Sequence, residues 1–247
     1  METSITMKRL FHGDCLEILP GLGDHIDCIF ADWPDNIGLK YEGYTDNLPP
    51  DVYVALLGEW MRTFVGLADT TWVSFNAKWI IEMGIIAGRL LDTDEGLDFK
   101  PCVQTFTFGQ HNQHDFGNSH RPLWRFRREH SMFYPDQIRV ESERQRMGDK
   151  RADPRGRVPS DVFNFTRVVG NSKQRRKWHK TQLNEDLVER CILSCTEEGD
   201  HVLDPFAGTG TTLRVCESLG RKCTTMDISR NYCERIAEEH GLQILNA

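Results

Sequence analysis

A glycine-rich segment near the C-terminus, directly after a short apolar run, carries the residue types best suited to binding a small ligand. Glycine is needed where the backbone adopts φ > 0 or approaches a ligand closely, and such a turn between a strand and a helix forms a nucleotide-type pocket. The loop lacks the lysine of a phosphate-binding loop and has two acids beside it, so we expect a cationic adenosine ligand. The expected contact residues are Asp204, Pro205, Phe206, Ala207, Gly208, Thr209, Gly210 and Thr211.

Asp227 is the second of these acids. It follows the next apolar segment, Lys222 to Met226, at roughly 20 residues beyond the glycine loop. An acid at this position of a strand–loop–helix–strand unit accepts hydrogen bonds from ribose hydroxyls. We therefore predict that Asp227 binds the sugar of the ligand.

Another acid with catalytic potential stands far upstream, after the continuous apolar run from Ile26 to Ala31. That run is typical of a strand buried on both faces, and Asp32, Trp33, Pro34 and Asp35 follow it. The carboxylate of Asp32 and a backbone carbonyl, of Trp33 or Pro34, can together accept the two N–H bonds of an exocyclic amine. The nitrogen then moves toward tetrahedral geometry, and its lone pair becomes available for attack.

Strand-like and helix-like segments alternate at both ends of the chain, a pattern that predicts an α/β fold with a doubly wound, mostly parallel sheet. We expect one domain over residues 1–247. Residues 109–178 differ, because they are rich in Gly, Asn, His, Arg and Pro and contain few apolar runs. We interpret 109–178 as an inserted recognition region.

Targeting signals are missing from the sequence. No apolar run reaches the ~20 residues that a membrane span needs, and the N-terminal residues lack the pattern of a secretion signal. The eight cysteines contain no Cys-x-x-Cys pair and lie mostly in apolar segments, as expected for buried thiols in a reducing compartment. We therefore expect a cytoplasmic protein without membrane contact.

Positive charge is concentrated in one block, although the formal net charge is −7. Residues 121–180 contain 17 Lys or Arg and 7 Asp or Glu, whereas the rest of the chain contains 13 and 30. A basic block with interleaved aromatic residues is the electrostatic footprint of a nucleic-acid partner. We expect phosphate contacts from Arg144, Arg146, Arg151, Arg155, Arg175, Arg176 and Lys177.

Three histidines in the same region, His111, His114 and His120, superficially resemble metal ligands. They stand on a Gly/Asn-rich loop with no cysteines near them. We interpret them as polar loop residues or phosphate contacts, and we expect no metal site.

The run from Asp204 to Thr212 resembles the S-adenosylmethionine loop of DNA amino-methyltransferases, which act on adenine N6 or cytosine N4. Asp32–Asp35 falls where that family carries a catalytic Asp-Pro-Pro-Tyr motif. The order of catalytic motif, recognition region and cofactor loop is that of the family's permuted beta group. The resemblance covers almost the whole chain, and it implies a Rossmann-like fold, S-adenosylmethionine as cofactor and a flipped DNA base as substrate.

The resemblance also assigns roles to residues outside these two motifs. Asp14, in a strand–turn similar to the family's first, would face the adenine of the cofactor. His179, Thr181 and Gln182 match the segment that lines the methionine end of the cofactor in the family. The beta-group order implies a possible homodimer.

The catalytic motif departs from the family pattern at Trp33 and at Asp35, where relatives have proline and an aromatic residue that stacks on the flipped base. Trp33, Tyr41 or Tyr44 could supply the stacking ring instead. Alternatively, the pocket is altered for cytosine N4 or a modified base, or the chain is a catalytically silent DNA-binding partner subunit. The leading Asp32 favours adenine N6 by resemblance, and the sequence leaves RNA or DNA, and the recognition site, open.

Overall fold

The computed structural model describes residues 7–106, 112–170, 172–179 and 181–246. Within these ranges, nine strands form a single sheet. The strands are β1 (Lys8–His12), β2 (Ile26–Asp32), β3 (Ala68–Ser74), β4 (Leu97–Thr105), β5 (His120–Arg128), β6 (Val162–Asn164), β7 (His201–Asp204), β8 (Lys222–Asp227) and β9 (Ile244–Asn246).

The sheet has the order β6-β4-β5-β3-β2-β7-β8-β1-β9 and is mostly parallel. Only β5, among the described strands, runs antiparallel to its neighbours β3 and β4. The doubly wound, mostly parallel α/β sheet expected from the sequence is confirmed.

Helices cover both faces of this sheet. The described α-helices are α1 (Cys15–Ile18), α2 (Pro50–Leu67), α3 (Ile80–Thr93), α4 (Glu143–Arg146), α5 (Glu185–Leu193), α6 (Thr211–Leu219) and α7 (Arg230–His240), of which α4 buries no residue. One buried cluster packs α2 and α3 against the sheet, and a second packs α5, α6 and α7 against it. The core therefore has three layers, which explains why β2 is apolar on both faces.

The region predicted as an insertion is partly built into the sheet. Both β5 and β6 belong to it, so the longest described part without strands is residues 129–161. The sequence pattern also predicts a strand over 129–134, which is wrong, because β5 ends at Arg128 and a turn follows. The sequence pattern predicts a further strand over 103–108, whose last two residues lie outside the described residues. The role of 109–178 in recognition stays a prediction.

The parallel direction of the central strands gathers their carboxyl ends at one edge of the sheet. Strands β2 and β7 are neighbours, with Cys28 opposite Val202 and Ile29 opposite Leu203. Strand β8 pairs with β7 on one side and β1 on the other. The acids that end β2, β7 and β8, which are Asp32, Asp204 and Asp227, consequently lie along one edge of the sheet although they are far apart in the sequence. In the described ranges, no helix combines the length and the apolar character needed to span a membrane.

Candidate active site

A cavity of about 640 Å³ opens at the carboxyl edge of the sheet. It lies where a doubly wound sheet offers a ligand crevice, and its volume suits a small organic ligand. The structure brings together here most of the residues that the sequence singles out: Asp14, Asp32, Trp33, Pro34, Asp35, Tyr41, Tyr44, His179, Thr181, Gln182, Asp204, Pro205, Phe206, Ala207, Gly208, Thr209, Thr211 and Asp227.

The glycine turn after β7 is shaped by backbone conformations that favour glycine. Gly208 has φ 51° and Gly210 has φ 72°, in the left-handed region that side chains disfavour. A Cβ on Gly208 would lie 3.4 Å from Nε2 of His179. Gly210 itself does not border the cavity, and it begins α6 with its left-handed turn.

Asp227 holds the glycine turn through backbone groups. Its Oδ2 accepts the N–H of Gly208 at 2.9 Å, and its Oδ1 accepts the N–H of Ser229 at 2.8 Å. Burial raises the pKa of Asp227 to about 6. Both oxygens have remaining lone pairs for a ligand hydroxyl, so the predicted sugar contact is compatible with this structural role.

Asp204 is the more deeply buried of the two acids, at 4% exposure. It accepts the N–H of Phe206 at 2.9 Å, and burial raises its pKa to about 7. A carboxyl group in this state gains a negative charge easily when a cation enters the cavity.

The segment before α5 packs against the glycine turn. The buried His179 has a lowered pKa because of desolvation, and its Nδ1 accepts the N–H of Thr181 at 3.3 Å. The amide of Gln182 is bonded to the backbone of Arg176 and Gln174, at 2.8 and 2.6 Å. Gln182 therefore fixes the shape of the segment, and it borders the cavity together with His179 and Thr181.

Asp14 lies at the mouth of the cavity as the N-cap of α1, where it accepts the N–H of Leu16 at 2.9 Å. Tyr44 is nearby, and burial raises the pKa of its phenol to about 12. Its buried hydroxyl has no hydrogen-bond partner among the described residues. Such a group favours a ligand that supplies the missing partner.

The ring of Trp33 belongs to the core. It is 2% exposed and stacks on Trp60 and Phe75, with ring centroids 5.8 and 6.4 Å away. This corrects the expectation that Trp33 offers a free face to a base. Of the three aromatic candidates, Tyr41 and Tyr44 remain beside the cavity.

The backbone of the catalytic motif is held by two distant side chains. The hydroxyl of Tyr53 donates to the carbonyl of Pro34 at 2.6 Å, and the indole of Trp79 donates to the carbonyl of Asp35 at 2.7 Å. Of the two carbonyls proposed from the sequence as acceptors, that of Pro34 is thus already engaged. This geometry favours the carbonyl of Trp33.

Arg121 at the start of β5 joins both acids of the motif, and sequence reasoning did not identify it. Its Nη2 donates to Asp32 at 2.8 Å and its Nη1 to Asp35 at 2.6 Å. The one signal in the sequence is Asp35 itself, because a carboxylate that becomes buried needs a cation or several N–H donors to compensate its lost hydration.

A second unidentified group shapes the loop that carries the two tyrosines. Asp46 is 3% exposed and accepts the N–H groups of Asn36, Ile37 and Leu39, at 2.7, 3.2 and 2.8 Å. Asn36 adopts φ 54°, and its side chain bonds twice to the backbone of Leu48. The loop is therefore ordered from within, by side chains that replace a regular backbone ladder.

The predicted phosphate-binding residues do not border the cavity. Arg146, Arg151 and Arg155 are exposed and form ion pairs with neighbouring acids, and Arg176 pairs with Glu239 of α7. The remaining three, Arg144, Arg175 and Lys177, are exposed. Exposed ion pairs of this kind contribute little to stability, so the arginines remain available for exchange with phosphates.

The predicted histidine loop is only partly described. His111 lies outside the described residues, His114 is exposed, and His120 borders the cavity. Within the described ranges, the one group with metal-ligand spacing is instead His25, Asp27 and Asp69. It lies where β2 and β3 begin, at the edge of the sheet opposite the cavity.

The sequence matches one family model over residues 26–239, and its description is DNA methylase, of the N6-adenine and N4-cytosine class. The chain belongs to this family. The match includes both the catalytic motif and the glycine turn. The amino-methyltransferase family indicated by the motifs is therefore confirmed.

Three curated relatives of this methylase illustrate the match. It is 31% identical to the type II methyltransferase M.HpaI of Haemophilus parainfluenzae over 94% of this chain and 73% of that one. It is 36% identical to M.BglII of Bacillus subtilis, over 92% and 67% of the two chains. It is 26% identical to the DNA adenine methyltransferase YhdJ of Escherichia coli, over 91% and 80%.

Two solved structures share the fold of the methylase. The complex of M1.HpyAVI with S-adenosylmethionine has a TM-score of 0.62 at 19% identity, covering 94% of this chain and 100% of that one. The cytosine-N4-specific PvuII DNA methyltransferase has a TM-score of 0.69 at 18% identity, covering 96% and 87%. These likenesses confirm the Rossmann-like fold.

Proposed function

We propose that this methylase transfers a methyl group from S-adenosylmethionine to an exocyclic amino group of a DNA base, with adenine N6 as the favoured acceptor. The observation that carries the proposal is the shared cavity. Asp32 at the end of β2 and the glycine turn after β7 follow neighbouring parallel strands and border the same space.

The donor set of the cavity suits S-adenosylmethionine. Asp204 is buried and Asp227 is partly buried, and a cationic ligand stabilises the charge of both acids. Gly208 lets the backbone approach the ligand, and Asp14 and Tyr44 have polar atoms at the mouth. When bound, the cofactor supplies a methyl group made electrophilic by the sulfonium charge.

Asp32 and the carbonyl of Trp33 activate the amine. Each accepts one N–H of the target amino group, which reduces the delocalisation of the nitrogen lone pair into the ring. The cavity is recessed, so a base of duplex DNA leaves the helical stack to reach Asp32, and its unstacking costs a few kcal/mol. Tyr41 and Tyr44 recover part of that cost by contacting the extruded base.

Adenine N6 is favoured over cytosine N4 by two observations. The motif begins with Asp32, as in the adenine-type motif that it resembles, and the E. coli relative YhdJ is a DNA adenine methyltransferase. The likeness to the cytosine-N4-specific PvuII enzyme is one of fold. The homodimer implied by the order of the motifs also stays a prediction, which sedimentation of the purified protein can check.

The test is methyl transfer from labelled S-adenosylmethionine to unmethylated duplex DNA, followed by digestion to nucleosides and mass spectrometry. We expect N6-methyladenine. N4-methylcytosine would refute the adenine assignment and retain the reaction. A protein that binds cofactor and DNA yet labels neither base would contradict the reaction and favour a silent partner subunit.

A further inference from the structure

Arg121 is the residue of the cavity whose contacts the motifs do not explain. It stands near the start of β5, where this antiparallel strand reaches the carboxyl edge beside β3. Its guanidinium donates to three side chains from three places in the chain: Ser74 at 2.7 Å, Asp32 at 2.8 Å and Asp35 at 2.6 and 3.0 Å.

The pair formed by Arg121 and Asp35 is the rigid part of this arrangement. Two N–H groups of Arg121 meet the two oxygens of Asp35, the bidentate geometry that fixes a guanidinium in one plane. Asp35 is itself fixed, because its Oδ1 accepts the N–H of Asn76 at 2.8 Å. The side chains of Arg121 and Asp35 are only 20% and 13% exposed, so water screens the pair weakly.

Asp32 is bound differently from Asp35. Its Oδ1 accepts one N–H of Arg121, no N–H of the described residues reaches its Oδ2, and the Ser74 hydroxyl lies beside the carboxylate, where it lowers the pKa. The carboxylate therefore has one oxygen fixed by the guanidinium and one oxygen left over. Fixing one oxygen also fixes the orientation of the other, which has to accept the N–H of an amine. This matters because misplacement of about 1 Å costs on the order of 10²-fold in rate.

We propose that Arg121, anchored by Asp35, is a positioning residue that orients the Asp32 carboxylate and leaves its Oδ2 for the amino group of the target base. This inference rests on the proposed function. It also explains the acid at the fourth position of the motif: Asp35 holds Arg121, and Arg121 holds Asp32.

The same contact controls the charge of Asp32. Burial raises the pKa of Asp32, and the neighbouring Arg121 charge opposes that rise while the Asp35 charge adds to it. The other titratable groups facing Asp32 are Asp204 from β7 and Tyr41 from the loop. Removal of the guanidinium takes away the one positive charge that lowers the pKa of Asp32 and leaves the Ser74 hydroxyl and the neighbouring acids, so protonation of Asp32 moves to higher pH.

The experiment compares Arg121→Gln with Arg121→Lys, and with Arg127→Gln as a matched control on the same strand. We expect Arg121→Gln to lower kcat about 10²-fold, to leave the Kd of S-adenosylmethionine within about threefold, and to move the acidic limb of the kcat/KM profile to higher pH. Arg121→Lys keeps the charge without the fork, so it should restore the acidic limb and only part of kcat. Arg127→Gln should match wild type.

Two further measurements keep the inference falsifiable. The carboxyl carbon of Asp32, followed by NMR without cofactor, should titrate at higher pH in Arg121→Gln than in wild type. Asp35→Asn should reproduce the loss of kcat without the shift of the acidic limb to higher pH, because the Asp35 charge raises the pKa of Asp32. In kcat, Asp35→Asn/Arg121→Gln should be no worse than Arg121→Gln alone, because the two act as one unit. If Arg121→Gln does not fold, Asp35→Asn carries the test.

If wild type is active but Arg121→Gln leaves the acidic limb unchanged, the positioning role of Arg121 is overturned and the proposed function stands. The same conclusion follows if the defects of the two substitutions are additive. Wild type that transfers no methyl group contradicts the proposed function, and the positioning role falls with it.

Discussion

The two halves of the cavity are built in different ways. The half around the glycine turn depends on backbone groups within one strand–turn–helix unit and on Asp227, which ends the next strand. The half around Asp32 depends on side chains from distant elements, with Arg121 and Ser74 beside the acids and Tyr53 and Trp79 on the backbone. A local design can be recognised from a motif, whereas a distributed one depends on the fold.

The largest expected effect comes from removing the charge of Asp32, which tests whether the two halves of the cavity act independently. Asp32→Asn should lower kcat about 10³-fold, because the amide is a weaker acceptor for the amino group. The Kd of S-adenosylmethionine should stay within about threefold, since the glycine turn is untouched. Single-turnover transfer and calorimetric titration measure the two effects, and a parallel loss of cofactor affinity would show that the halves are not separable.

The converse change damages the glycine turn. Gly208→Val forces a β-branched residue to φ 51° with its Cβ 3.4 Å from His179. We expect a loss of about 2 kcal/mol in the free energy of unfolding and cofactor affinity weaker by at least about tenfold.

Gly84→Ala is the matched control, because a Cβ there meets nothing within 4 Å. It lies inside α3 and should be neutral or stabilising by up to about 1 kcal/mol. Urea unfolding and calorimetry measure both variants. A Gly208→Val protein with wild-type affinity would contradict the close approach of ligand and backbone.

A smaller effect is the pH dependence of cofactor binding. Burial raises the pKa of Asp204 to about 7 and that of Asp227 to about 6. A cationic ligand favours their ionised forms, so binding releases protons, and affinity should fall about tenfold from pH 8 to pH 6.

The sign for stability is opposite. Because the folded protein holds these protons more tightly than the unfolded chain, the cofactor-free protein should lose stability as pH rises from 3.8 to about 7. Calorimetry in buffers of different ionisation enthalpy measures the proton release. Asp204→Asn should flatten the pH dependence, and an unchanged slope would show that Asp204 does not sense the ligand.

The smallest expected effect concerns the basic region outside both halves. Arg151→Gln and Arg155→Gln should each reduce the slope of log affinity against log salt by about 1. Lys8→Gln is the control, since Lys8 begins β1 at the opposite edge of the sheet. Fluorescence anisotropy with a DNA duplex measures the slopes. Equal slopes for all four proteins would refute phosphate contacts by these arginines.

Much of the fold, and of the half of the cavity around the glycine turn, was predictable from the sequence. The apolar run of β2 predicts a strand buried on both faces. The glycines of the turn around Gly208 predict a left-handed backbone conformation, because few residues other than glycine tolerate it. Both signals are local, so no knowledge of packing is needed to interpret them.

The half of the cavity around Asp32 was predicted less well, and the reason is physical. Trp33 has the chemistry of a base-stacking residue, but its burial against Trp60 and Phe75 depends on how α2 and β3 pack. Arg121 lies 86 residues beyond Asp35 in the chain, and only the antiparallel insertion of β5 beside β3 brings it to the cavity. Burial and long-range pairing are properties of the sheet order, which periodicity does not encode.

The sequence by itself determined the class of protein, the glycine turn and the acids that end β2, β7 and β8, because each depends on residues adjacent in the chain. The tertiary structure decided which of these groups meet, which ring is withdrawn into the core, and which cation balances the two acids of the motif. Those outcomes require strands far apart in sequence to become neighbours, and that neighbourhood fixes the charge and the orientation of Asp32.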